Sequence, residues 1–356
     1  MSGRPEFRPT RADIDLGAFS RNIDAVVARL PAGARLVAVL KANAYGHGAV
    51  ELARHCTPDR VAMIAVALLE EALELRNAGI TLPLFIFGST NAIDVALEHD
   101  ITLGVVGPEE LAVVCEVARH RDVNIHLKLD SGMGRMGVVE SELPAVIEMI
   151  RNTPRLRIDG IYTHFANADE PDDTYTATQI ANYDRMLGVL RESRIDAPLH
   201  HFANSAATLR GLVRPGDYAR AGIALFTLSP VMRWRTEIVR LKTLPRGAAI
   251  GYGTTFHTAR ESRIATLPVG YADGYRRVFS NNAEVLVRGK RAPVVGRVSM
   301  DLVTIDVTDI EAAVGDEVVL LGDEISAAEL AAKANTITYE IFCGLTARVP
   351  RHYLES

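Results

Sequence analysis

The chain has 356 residues, 48% of them hydrophobic, and a formal net charge of −5. A near-neutral balance with no basic block disfavours nucleic acid and anionic membrane surfaces as partners, and no stretch is apolar for long enough to span a bilayer. Single cores rarely grow past about 250–300 residues, so a large domain and a smaller one are expected.

In chain order, a leading helix near 16–30 is expected to plug or flank a barrel whose first strand is the continuously apolar run 36–40. Further strand-like runs follow at 61–66, 84–87, 102–105, 124–129, 158–163 and 199–202, with a short one ending near Arg220. Amphipathic stretches such as 68–77 and 177–192 separate them, which is the sequence form of repeated βα units. Eight such units predict an α/β fold, a (β/α)8 TIM barrel. After about Met232 the texture changes. Runs at 236–243, 263–269, 284–287, 298–307 and 317–321 alternate with Gly, Pro and Asp, predicting a mostly β domain in which only 327–334 reads as a clear helix. The segment 231–235 is the candidate hinge. This divides the chain into a barrel at 12–232 and a β domain at 233–356, with residues 1–11 associating with the latter.

The chemically suggestive residues cluster where barrels carry their active groups, just past the strand ends. Lys41 follows strand one, Asp130 and Arg135 follow strand five, and His164 follows strand six. Asn204-Ser205 follow strand seven, and Arg220-Ala221-Gly222-Ile223 close strand eight. A lysine at such a strand end can be partly desolvated, and Schiff-base chemistry needs its neutral amine. The loops after strands seven and eight are where barrels commonly bind phosphate. Cys56, Cys115 and Cys343 are odd in number, far apart and without metal-ligand spacing, so all three read as reduced structural thiols and no metal is expected. The amino terminus has no apolar signal core, and the expected location is cytoplasmic.

The run Lys41-Ala42-Asn43-Ala44-Tyr45-Gly46-His47-Gly48 resembles the cofactor-lysine motif of the alanine racemases. The resemblance extends in order through Lys128-Leu129-Asp130-Ser131-Gly132-Met133-Gly134-Arg135, Thr163-His164, Gly251-Tyr252-Gly253, Tyr271-Ala272-Asp273-Gly274 and Arg297-Val298-Ser299-Met300-Asp301, nearly the whole chain. It implies an amino-acid racemase using pyridoxal 5′-phosphate, with Lys41 tethering the cofactor and acting as one base. Tyr252 of the partner subunit is the implied second base, so that the sites of a homodimer are shared. Tyr45, His164, Asn204, Ser205, Arg220, Gly222 and Ile223 are the implied cofactor contacts, with Arg220 facing the ring nitrogen and His164 holding Arg220. Arg135 and the N–H of Met300 are implied to bind the substrate carboxylate. Lys128, carbamylated in some relatives, and Asp301 are implied supports; Asp273 shapes the site or a turn. Supply of D-alanine as a peptidoglycan precursor is the role such an enzyme implies.

Ala347 departs from the pattern, since family members often carry tyrosine immediately before the terminal Arg-Val-Pro-Arg run. A wider pocket would admit serine or other small amino acids, because one methylene discriminates by only about 1–3 kcal/mol. Two other readings use the same barrel. A cofactor-carrier protein would lack the β domain and Tyr252, and a decarboxylase would place an acid near the ring nitrogen and a reactive cysteine in the β domain. Cys343 is the only candidate for that cysteine, and its apolar surroundings read as core.

Overall fold

The computed structural model describes residues 7–88 and 90–355. Among the described residues two compact units emerge, one of residues 19–44, 49–88 and 90–228, the other of residues 7–18, 45–48 and 229–355. Residues 1–6, part of the segment expected to join the β domain, lie outside the described residues.

The first unit is the expected barrel. Its strands are Arg35–Val39, Val61–Val66, Leu84–Ile86, Ile101–Val105, Val123–Lys128, Leu156–Tyr162 and Leu199–His201, with Tyr218–Ala221 lying beside the first. All pair in parallel. Between the seventh and eighth strands the ring is nearly closed by the Arg220 N–H, which donates to Ala203 O at 3.0 Å. Strands such as Val61–Val66 are buried along most of their length, as a sheet covered on both faces requires. The leading helix, Leu16–Val27, flanks the barrel: Phe19 stacks on Phe226 at 5.8 Å and Asn22 Nδ2 donates to Leu225 O. It stops short of residue 30 because Pro31 disfavours a helical residue before it.

The second unit is mostly β. A six-stranded sheet runs in the order Lys290–Pro293, Glu284–Val287, Glu317–Leu321, Met232–Glu237, Arg11–Asp15, Arg351–Leu354, and a three-stranded sheet in the order Arg240–Leu244, Ser262–Leu267, Val303–Asp306. Several details depart from the sequence reading. Residues 232–235 of the candidate hinge are strand, in which buried Met232, Trp234 and Thr236 alternate with exposed or half-exposed Arg233, Arg235 and Glu237; the preceding Pro230 obscured this period of two. The run 236–243 breaks at Ile238-Val239 and feeds both sheets. Of 298–307 only Val303–Asp306 is strand, the rest being the loop that carries Met300 and Asp301. A second helix, Thr338–Cys343, follows the expected one. It buries Ile341 and Phe342 and leaves Cys343 exposed, so that cysteine is not core. The expected bounds at residues 12 and 232 fall inside strands Arg11–Asp15 and Met232–Glu237.

Candidate active site

Lys41 stands at the end of barrel strand one, followed by Ala42, Asn43, Ala44 and Tyr45, all with φ between 52 and 54°. Four consecutive non-glycine residues in the left-handed region are costly, about 1–2 kcal/mol each, so the surroundings must compensate. Glu71 accepts the N–H of Ala42 at 2.6 Å, Asn43 Oδ1 accepts that of Ala49 at 2.8 Å, and the Ala44 N–H reaches Leu40 O at 2.8 Å. The turn fixes the direction in which Lys41 leaves the strand.

At strand eight, Arg220 is 3% exposed. Its Nη1 donates to His201 Nδ1 at 3.1 Å and to His201 O, and its Nη2 to Thr163 O at 2.8 Å, His164 Nδ1 at 3.1 Å and Phe202 O at 3.3 Å. Among the described residues its Nε–H has no hydrogen-bond acceptor and no carboxylate pairs with the guanidinium. Burial pushes Arg220 down to about 10, still charged at neutral pH, while the rings of Tyr162 and Phe87 lie 5.7 and 5.9 Å from its Cζ. His164 is pushed down to about 3, by burial first and then by Arg220, Lys128, Arg135 and Lys41. Four cations thus converge on a neutral imidazole, a concentration of positive charge suited to anionic groups.

The loop after strand five carries Arg135, which is exposed. Asp130 Oδ1 gathers the N–H groups of Gly132, Met133 and Gly134 at 2.8–3.1 Å, and helix Thr174–Glu192 clamps the loop from one face. From that helix Tyr175 Oη donates to Gly132 O at 2.6 Å, Asn182 Nδ2 to Ser131 O at 3.0 Å, and Gln179 to His164 O at 3.1 Å while accepting from Ala166 N at 2.8 Å. Positions 175, 179 and 182 share a face at helical spacing. Lys128 is buried beside this loop, its Nζ 6.0 Å from the Tyr162 centroid; burial first, then Arg135 and Arg220, push it down to about 8.

Asn204 caps helix Ser205–Leu209, accepting from Ala207 N at 3.0 Å, so its carboxamide oxygen is already engaged in the fold. Ser205 Oγ accepts from Gly222 N at 2.9 Å and Ala224 N at 3.4 Å, and its own proton has no acceptor among the described residues. Ile223 opens the next short turn, Ala224–Thr227.

The second unit holds the remaining expected residues. Tyr252 is 73% exposed on a 3₁₀ turn made possible by Gly251 and Gly253 at φ 70 and 71°. With Arg297, Ser299 and Leu302 it lines a depression of about 410 Å³. Met300 is exposed, Asp301 pairs with Arg348 at 2.7 Å, and Ala347 is exposed beside that arginine. Asp273, fully buried, takes both Nη atoms of Arg8 and the N–H of Gly270. Tyr45 packs against Tyr339 at 5.8 Å. Among the described residues no His/Cys/Asp/Glu group could hold a metal ion and no helix is long and apolar enough to cross a membrane.

Two family models, described as alanine racemase N-terminal domain and alanine racemase C-terminal domain, match residues 14–230 and 231–353. An alanine racemase of Halothermothrix orenii is 42% identical over 368 residues, 97% of each chain. The chain belongs to the alanine racemase family. It is by that membership an amino-acid racemase, an isomerase. The crystal structure of alanine racemase from D-cycloserine-producing Streptomyces lavendulae is 35% identical with a TM-score of 0.93, covering 99% of this chain and 98% of that one. The Bartonella henselae alanine racemase, solved with covalently bound pyridoxal phosphate, is 26% identical with a TM-score of 0.89, covering 97% of this chain and 99% of that one.

Within this alanine racemase fold several residues around the strand ends escape a sequence reading. Glu71, Tyr175, Gln179 and Asn182 lie on helices where polar residues read as solvent-facing. His126 and His201 had a signal, a histidine inside an otherwise apolar barrel strand, and the structure joins them to Arg220.

Proposed function

We propose that this racemase interconverts L- and D-alanine with pyridoxal 5′-phosphate carried on Lys41, in a homodimer whose sites combine Lys41 with Tyr252 of the partner subunit. The observation that carries this reading is Arg220, a buried guanidinium that among the described residues has no carboxylate beside it and no acceptor for its Nε–H. Such a donor suits a pyridine nitrogen, which it hydrogen-bonds without protonating it. Ser205, its hydroxyl proton unclaimed, suits a phosphate oxygen, with Gly222 and Ile223 on the adjoining turn. The residues therefore fit the cofactor; Tyr45 and His164 would complete its contacts and Asn204 would support the Ser205 turn. When bound, the cofactor supplies an electron sink for the carbanion left by loss of the α-proton.

Lys41 Nζ then moves the α-proton on one face of the substrate Cα, on the D antipode, and the phenol oxygen of Tyr252 of the partner subunit moves it on the other, on the L antipode. Arg135 and the N–H of Met300 hold the substrate carboxylate. Lys128, at about 8, keeps a fraction of neutral amine near neutrality, the form that carbamylates; the resulting anion would pair with Arg135. Asp301 supports the Met300 loop.

Borohydride reduction followed by peptide mapping tests the tether, and the expected product is a single pyridoxyl group on Lys41. Lys41→Ala should abolish racemisation in both directions, a loss above the roughly 100- to 10,000-fold of acid/base help alone. A label elsewhere, or near-normal activity of K41A, rejects the reading.

Broader specificity is the second reading, favoured by the small exposed Ala347. Serine racemised within about tenfold of alanine, and curtailed in Ala347→Tyr, is its expected signature.

A further inference from the structure

His126 and His201 are 1 and 2% exposed in the barrel interior and have no part in the contacts proposed above. They form a line with Arg220: His126 Nδ1 lies 2.9 Å from His201 Nε2, and His201 Nδ1 lies 3.1 Å from Arg220 Nη1. A guanidinium only donates, so His201 Nδ1 must be bare. A neutral His201 then carries its proton on Nε2 and donates it to His126 Nδ1, which leaves the His126 proton on Nε2. The doubly protonated forms are suppressed: burial first, then Arg220, pushes His126 down to about 3, and burial and His126 push His201 well below its ordinary value.

The rings cannot turn away to find other partners. His201 stacks on Tyr162 at 4.7 Å and 7°, and His126 lies 4.6 Å from Phe85. Gly160 makes the room, since a Cβ there would stand 2.6 Å from His126 Cγ.

We propose that His126 is a positioning residue, which by accepting from His201 fixes the tautomer that receives Arg220 and so aims the Arg220 guanidinium at the cofactor's ring nitrogen. This rests on the role given to Arg220 above. In the opposite tautomer His201 would present N–H to N–H, and Arg220 would lose an acceptor it cannot replace with a carboxylate.

The test is ¹⁵N NMR of the full-length holoenzyme labelled at histidine, with His126→Asn and His126→Phe beside the parent. In the parent, His201 should show a bare Nδ1 and a protonated Nε2. H126N, whose amide oxygen reaches the place of Nδ1, should keep that tautomer and stay within about threefold of parental kcat, whereas H126F should lose the single tautomer and about tenfold in kcat at little changed KM. A protonated His201 Nδ1 in the parent overturns the proposal, as does an H126F enzyme with the parental tautomer and rate. If H126F does not fold, the parent spectrum and H126N still decide. Should the tautomers be as expected while Arg220→Glu leaves the cofactor spectrum and the share of transamination unchanged, the role of Arg220 fails and the histidine relay stands.

Discussion

Glu71 receives the backbone N–H of Ala42, one residue past Lys41, at 2.6 Å. Its other oxygen takes the N–H groups of Ala67 and Leu68 at 2.8 and 3.1 Å, so one carboxylate ties the loop after strand two to the left-handed turn after strand one. Glu71→Ala removes the acceptor that compensates the turn. It should lower kcat about tenfold or more, from the loss of charge-assisted hydrogen bonds, and lower the melting temperature. Steady-state rates and a thermal melt check this; a variant matching the parent in both shows that the turn holds itself.

The proposed sharing of sites between subunits predicts complementation. Inactive Lys41→Ala chains mixed with inactive Tyr252→Phe chains should regain activity, because a hybrid dimer assembles one site with both intact groups. Random pairing makes about half the dimers hybrid, each with one good site, so recovery should approach roughly a quarter of parental activity per chain. No recovery after verified subunit exchange places both groups in one chain's site or removes Tyr252 from the chemistry.

Lys128 sets a pH signature. Its folded value, about 8, lies below the ordinary 10.5, so between these limits the unfolded chain binds more protons and this group makes stability rise with pH. Below about 8 its contribution is a constant penalty. The melting temperature of the parent relative to Lys128→Met should therefore climb from about pH 8 to 10.5, and a flat difference contradicts the burial of the amine. Labelled bicarbonate should give a carbamate carbon signal that K128M lacks.

Tyr175 reads out the clamp on the Arg135 loop. Tyr175→Phe removes the bond to Gly132 O while keeping the ring, so substrate-carboxylate binding should weaken, with KM rising about threefold to tenfold and kcat little changed. A fall in kcat at constant KM would mean that the helix acts elsewhere.

The barrel was legible because apolar runs and helical periods alternate over so much of the chain, and the places of Lys41, His164 and Arg220 at strand ends because each directly follows or closes such an apolar run. Strand Met232–Glu237 was hidden by Pro230 just ahead of it and by arginines at its solvent-facing positions. The arms of Glu71, Gln179 and Tyr175 were illegible for another reason. Each reaches a loop distant in sequence, and nothing in a helix's own pattern tells a polar residue facing water from one facing a loop.

Strand Arg11–Asp15 lies between Met232–Glu237 and Arg351–Leu354, and residues 45–48 also belong to that unit, where Arg351 Nε donates to Gly46 O at 2.9 Å. The halves that look like separate modules in the linear chain are therefore not cassettes. A fragment beginning at residue 229 would lack an internal strand, leaving the ladder of Met232–Glu237 open on one side and Arg351–Leu354 without a neighbour, an invitation to aggregate. Any graft of this β unit onto another barrel, by recombination or by design, has to carry three separated pieces of chain together.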